Sequence, residues 1–153
     1  MIIQRVKSGA VTVGTEVVGK IGPGLVVLLG FNQEDDTSKF SSAINRLLKI
    51  KLWDSIDHAE DDNEKVKNWS SSVVDNGYEI LIVSQFTLFA VLNGNKPDFH
   101  KAKKADEARI LFDLFVEQVK KSYDPTKIQT GAFGQLMKVD IEGHGPVTIP
   151  LDF

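Results

Sequence analysis

The chain is 153 residues long, 42% hydrophobic and 25% charged, an ordinary composition for one globular domain that excludes a disordered chain, a coiled coil and a collagen-like repeat. It contains no cysteine, which removes disulfides, thiolate nucleophiles and sulfur-ligated metals, and no apolar run near the ~20 residues a membrane-spanning helix needs. The formal net charge of −3 argues by itself against a nucleic-acid partner, and no basic region leading into an apolar one opens the chain, so a cytoplasmic protein is expected.

Ile2 to Lys7 sets Ile2, Gln4 and Val6 against Ile3, Arg5 and Lys7, the alternation of a strand. Ala10–Val13 and Glu16–Lys20 are short β-branched runs joined by Gly14-Thr15, which predicts a hairpin. Gly22-Pro23-Gly24 is a turn, and the unbroken apolar run Leu25–Leu29 predicts a strand buried on both faces. Asp36, Thr37 or Ser38 can then cap a helix whose stripe is Phe40, Ala43, Ile44, Leu47 and Leu48.

The segment from Asp54 to Glu64 holds six acids and no Lys or Arg. With no apolar period it predicts a solvated loop. It also carries the sign of the net charge, since the remaining chain has 18 basic and 15 acidic residues. Tyr78–Val83 reads as a strand running directly into Ser84-Gln85-Phe86-Thr87-Leu88. Asn95–Lys104 is basic, with Lys96, Lys101, Lys103 and Lys104 against Asp98. From charge alone it is either a solvated helix entry or a phosphate-facing surface.

A second helix is predicted over 105–121, with Ala108, Leu111, Phe112, Phe115 and Val119 as its stripe. Asp106 and Glu107 lie in the first turn and Lys120 and Lys121 in the last, matching the helix dipole. Met137, Val139 and Ile141 alternate as a strand, Gly143-His144-Gly145-Pro146 breaks the pattern, and Val147-Thr148-Ile149 resumes it. Six or seven strands and two helices without sustained β-α-β alternation predict a single α+β domain over residues 1–153.

The residues support little side-chain catalysis. His58, His100 and His144 stand apart in sequence, no G-x-S-x-G elbow is present, and no clustered ligands predict a metal. The glycines fit neither a Walker loop nor G-x-G-x-x-G. Two features remain. Ser84, Gln85 and Thr87 are polar side chains at the end of an apolar strand, read either as ordinary strand-end hydrogen bonding or as a site with a hydroxyl nucleophile. Gly145-Pro146 between strands is either a tight turn or a shaped backbone with a cis peptide.

Ser84-Gln85-Phe86-Thr87-Leu88 matches the SQFTL signature of the D-aminoacyl-tRNA deacylases, and Gly145-Pro146-Val147-Thr148 matches the GPVT part of that family's C-terminal signature. Gln4-Arg5-Val6, the segment Gly94 to Phe99, and Phe133-Gly134 with Met137 follow in the family's order, so the resemblance spans essentially the whole chain. It implies a homodimer with a curled, mostly antiparallel, barrel-like sheet. It also implies hydrolysis, without a cofactor, of the ester joining a D-amino acid to the 3′ end of tRNA, with glycyl-tRNA as a second substrate.

By the same resemblance, Gly145 and Pro146 would enter the other subunit's site as a chiral filter, with Arg5 supporting the motif through its carbonyls. The N–H groups at Phe86 and Thr87 would form an oxyanion hole, and Ser84, Gln85 and Met137 would hold the terminal adenosine. Lys96, Lys101, Lys103 and Lys104 would face tRNA phosphates. Thr87 is the alternative nucleophile; with no base in the sequence to activate it, the substrate's own 2′-hydroxyl is preferred. The family usually has Asn where this chain has Gly143, so one side-chain hydrogen bond near the motif is expected to be missing.

Overall fold

The computed structural model describes residues 1–55 and 66–153. Most of the acidic segment, His58 included, therefore lies outside the described residues. Eight strands and two α-helices are present among them. In chain order these are β1 (Ile2–Val13), β2 (Glu16–Ile21), β3 (Gly24–Leu29), α1 (Phe40–Lys49), β4 (Glu79–Ser84), β5 (Val91–Asn93), β6 (Lys96–Asp98), α2 (Ala105–Ser122), β7 (Ile128–Thr130) and β8 (Lys138–Pro150). No helix among the described residues is long and apolar enough to cross a membrane.

β1 organises the sheet. One edge pairs antiparallel with β3 over Ile2–Val6 and then with β2 over Gly9–Val13; the other pairs antiparallel with β8. The sequence suggests two short strands here, but β1 is continuous. Register shifts between Gln4 and Ser8, and again at Val11/Thr12, bend it between its partners, as bulges do. At the far side Gly19 of β2 approaches β7 so closely that a Cβ would lie 2.3 Å from the Thr130 carbonyl oxygen. The sheet thereby curls into a nearly closed barrel.

The other half of the sheet is parallel. β3 pairs with β4 from Gly24↔Glu79 to Leu29↔Ser84, and β4 pairs with β7. Each parallel pair is joined through a helix, α1 and α2 respectively, as parallel connections require. The sheet is thus mixed, and the antiparallel pairs gather around β1. The central strands are covered on both faces, which is why they read as unbroken apolar runs. Leu25, Val27, Leu29, Ile80 and Ile82 face the helices, and Val26, Leu81 and Val83 join Val6, Val11 and Ile21 inside the curl.

The α1 stripe is buried at all five expected positions. On α2, Phe112, Phe115, Val116 and Val119 are buried, while Ala108 and Leu111 are only partly covered. The two helices meet each other and the segments after β3 and β8 through aromatic rings: Phe40 of α1 lies edge-on to Phe115 of α2 at 5.2 Å, and Phe153 packs against Phe31, Phe40 and Phe115. Such pairs contribute about 0.5–1.5 kcal/mol each beyond area burial. The Gly143–Pro146 segment does not break its strand, because β8 stays paired to β1 on both sides of it.

Candidate functional site

β3 and β4 end side by side, and the chain turns sharply after each. The Gln85 N–H donates to the Leu29 carbonyl at 2.8 Å, and Phe86–Phe89 then forms a single 3-10 turn. Gly30 permits this. A Cβ there would meet the Gln85 carbonyl oxygen at 2.4 Å and the Phe89 ring at 3.3 Å. Phe86 and Thr87 open the turn, where backbone N–H groups have no intrahelical acceptor, so their donors are available to a ligand oxygen.

The space beyond these strand ends is a cavity of about 410 Å³, at the carboxyl ends of parallel strands, where α/β sheets commonly bind ligands. Leu29, Gly30, Ser84, Gln85 and Phe86 form its floor; Phe99, Lys103, Lys104 and the start of α2 form one wall, and Phe133 and Gly134 another. The Phe86 and Phe99 rings meet edge to face at 5.0 Å. Phe133 is backed by Phe112 at 5.6 Å and by the Arg109 guanidinium at 5.5 Å. Aromatic walls with a few polar groups suit a flat organic ligand such as a nucleobase.

The Thr87 hydroxyl oxygen accepts from the Gln85 side-chain amide. Among the described residues no histidine or carboxylate hydrogen-bonds to Thr87. His100 is engaged next door: its backbone N–H donates to Asp98, its ring nitrogen Nδ1 contacts the same carboxylate oxygen, and together these hold the Asp98 carboxyl below its ordinary pKa.

The four lysines separate. Lys104 lines the cavity at the start of α2 and is exposed, as are Lys96 and Lys101. The Lys103 side chain is only 9% exposed. Its ammonium donates to the Gln33 carbonyl at 2.8 Å and lies 3.8 Å from Glu107, so it braces the loop before α1 rather than facing solvent.

Gly145 and Pro146 lie elsewhere, on β8. The bond between them is cis, and Gly145 has φ +135°, a conformation L side chains rarely adopt. Both residues are exposed, and neither lines the cavity of its own chain. Arg5 holds this segment from behind. Its Nε donates to the His144 carbonyl at 2.9 Å and its Nη1 to the Leu52 carbonyl. The contact thus falls on the residue before the motif, not on the carbonyls of Gly145 and Pro146. Gly143, where a side-chain hydrogen bond was expected to be lost, pairs with Val6 of β1, and Ser8 donates to Glu142 beside it at 2.9 Å.

Met137 also stands apart from the cavity, half-buried against the inner cluster of the curl. The structure therefore brings Ser84, Gln85, Phe86, Lys103 and Lys104 around one space, which Thr87, Lys96 and Lys101 do not line, and leaves Arg5, Gly145 and Pro146 as a second, outward-facing group. Sequence reading assigns no role to Phe99, Phe133 or Gly30. Only Gly30 leaves a local signal, a glycine directly after a buried strand.

The D-Tyr-tRNA(Tyr) deacylase family model matches residues 2–152. The chain is 43% identical over 151 residues to D-aminoacyl-tRNA deacylase 1 of Homo sapiens, covering 99% of this chain and 68% of that one. It is 44% identical to the D-aminoacyl-tRNA deacylase of Drosophila melanogaster, covering 99% and 90%. A solved structure described as c-Myc DNA Unwinding Element Binding Protein superposes with a TM-score of 0.89 at 42% identity, covering 99% of this chain and 97% of that one. A second, described as a probable eukaryotic D-amino acid tRNA deacylase, shares the fold with a TM-score of 0.77 at 20% identity, covering 97% and 95%.

Proposed function

The chain belongs to the D-Tyr-tRNA(Tyr) deacylase family and is a D-aminoacyl-tRNA deacylase, and we propose that it works with backbone groups and the substrate's own hydroxyl rather than with a catalytic side chain. The observation that carries this reading is the cavity at the ends of β3 and β4, where Phe86 opens the 3-10 turn among aromatic walls, and Thr87 follows it in that turn without lining the space. The terminal adenosine of the tRNA stacks there, with Ser84 and Gln85 at its edge. The ester carbonyl then lies at the N–H groups of that turn, and water attacks the carbonyl carbon.

Negative charge develops on the carbonyl oxygen, and each fixed donor aimed at it contributes about 2.7–4 kcal/mol. Collapse breaks the bond to the 3′-oxygen, which leaves with a proton as the free tRNA end. The neighbouring 2′-hydroxyl, both donor and acceptor, relays that proton. Thr87 is a poor nucleophile in this setting, since its hydroxyl is held by an amide that cannot take a proton.

Gly145 and Pro146 act as the chiral filter in the site of a second copy of the chain. Their exposure, and their absence from the cavity of their own chain, support insertion across a homodimer. A rigid backbone there accepts the amino group of a D-substrate and clashes with an L side chain. Glycine has no side chain to reject, so glycyl-tRNA is also a substrate. A charged-tRNA substrate fits a cytoplasmic location. Lys96, Lys101 and Lys104 supply the phosphate contacts, with Lys103 acting through the loop it braces.

The test offers D-tyrosyl-, L-tyrosyl- and glycyl-tRNA side by side. Release of D-tyrosine and glycine with L-tyrosine retained is expected; release of both tyrosines removes the filter. T87A should keep most activity, while D-tyrosyl-tRNA ending in 2′-deoxyadenosine should be inert. Loss of turnover in T87A with normal folding and tRNA affinity would make Thr87 the nucleophile instead.

A further inference from the structure

Between α1 and β4 the chain leaves the core as a two-stranded stalk. Leu52 and Trp53 donate to the Ser71 carbonyl, Ser70 and Ser71 donate back to Trp53, and Ser55 donates to Lys67, all between 2.8 and 3.1 Å. Ser71 closes a further bond from its hydroxyl to the Asp54 carbonyl at 2.6 Å. The stalk is rooted by Trp53, which is buried and lies 5.4 Å from the Tyr78 ring.

Trp69, on the same stalk, has different surroundings. It is 56% exposed, so core burial is not what holds it. Among the described non-glycine residues it has the one positive φ, +52°, a conformation a bulky residue keeps only where its surroundings impose it. Its N–H donates to Asp54 at 3.2 Å, and its ring lies 5.7 Å from the Arg5 guanidinium, within cation–π range.

The Arg5 guanidinium is therefore gripped from two directions. The stalk supplies the Leu52 carbonyl and the Trp69 face, and β8 supplies the His144 carbonyl directly before Gly145. We propose that Trp69 is a positioning residue: it orients Arg5, and through Arg5 the stalk holds the Gly145–Pro146 backbone in place. This deepens the filter reading above and rests on it for its functional consequence. The mechanical link between stalk and β8 stands on the contacts alone.

An exposed cation–π contact shifts an equilibrium by about two- to fivefold, which sets the size of the effect. W69A, W69F, R5M and the double variant W69A/R5M are compared in the full-length protein. Two quantities are read: the ratio of kcat/KM for D-tyrosyl- over L-tyrosyl-tRNA, and backbone hydrogen exchange of the peptide covering residues 143–147. W69A should speed that exchange and lower the ratio about two- to fivefold, W69F should restore both, and W69A should add nothing once R5M is present.

Unchanged exchange in W69A overturns the proposal, as does a W69A effect of equal size with and without R5M. Loss of tRNA affinity in W69A with an unchanged ratio and unchanged exchange would make Trp69 a tRNA contact and also overturn it. If the wild type releases L-tyrosine as readily as D-tyrosine, the filter fails by itself. The exchange measurement then still decides whether Trp69 anchors β8.

Discussion

Ser84 ends a strand with hydrogen-bonded neighbours on both sides, β3 and β7, whereas Gly145 and Pro146 lie on a strand paired only with β1. Around Ser84 the supporting contacts run from backbone to backbone. Gly30 touches the Gln85 carbonyl with no room for a methyl group, and the Gln85 N–H is fixed to Leu29. Around Gly145 the support is one arginine reaching across from β1. The first region changes geometry only if the sheet moves, while the second depends on a single side chain and its partners. On the proposed function the first group is a donor set, which must be rigid to stabilise developing charge, and the second a filter, which must be placed accurately but can be carried on an edge.

The sharpest break of this contrast is Gly30→Ala. The new methyl group would force the turn after β4 away, displacing the Phe86 and Thr87 donors. Turnover of D-tyrosyl-tRNA should fall about 10²–10³-fold, as when one oxyanion donor is lost, with the far-UV circular dichroism of a folded protein. A fall no larger than the loss of folded protein would mean the donors do not sit at that turn.

Arg5→Ala probes the other region. A hydrogen bond from a charged group is worth about 1.5–3 kcal/mol. Discrimination of D- from L-tyrosyl-tRNA should therefore drop about ten- to a hundredfold, while Tm changes little because Arg5 is not in the core. A large Tm loss with discrimination intact would make Arg5 structural only.

Charge reversal of the lysines gives a smaller effect. Lys101→Glu and Lys104→Glu should each flatten the salt dependence of tRNA binding by about 0.7–0.9 in log–log slope. Lys103→Met should leave the slope and lower Tm, because its ammonium is bound to Gln33. Equal slope changes at all three would place Lys103 on the tRNA surface after all.

The smallest expected effect is at Asp75, which fastens the chain just beyond the stalk. Hydrogen bonds from Lys51, then from the Ser72 N–H and hydroxyl, lower its pKa to about 2. A carboxylate with a depressed folded pKa contributes stability above its unfolded value of about 4, and that stability is lost as pH falls through about 2. Asp75→Asn should lower Tm modestly at neutral pH, with the difference closing between pH ~4 and ~2. A gap that stays constant with pH would show that the carboxylate charge contributes nothing.

The amphipathic helices were legible because their stripes are local. All five expected positions of α1 are buried, and α2 differs only in burying Val116 and leaving Ala108 and Leu111 partly covered. The Ser84–Leu88 and Gly145–Thr148 signatures were equally legible, being short and contiguous. The strand pairings were less so. The apolar runs of β3 and β4 announce burial on both faces but not direction, and the parallel pairing depends on helices crossing over. Gly143–Pro146 carries the residues of a turn, yet pairing with β1 keeps it within a strand.

The sequence by itself therefore determined the helices, the doubly covered strands and the two signature segments, because each rests on residues a few positions apart. Only the tertiary structure decided that Phe99 and Phe133 wall the same cavity as Phe86, that Lys103 is held by Gln33 while Lys101 and Lys104 are exposed, and that Arg5 joins His144 to Leu52 and Trp69. Those contacts link residues far apart in the chain. Their partners are chosen by the curl of the sheet around β1, which no local pattern encodes.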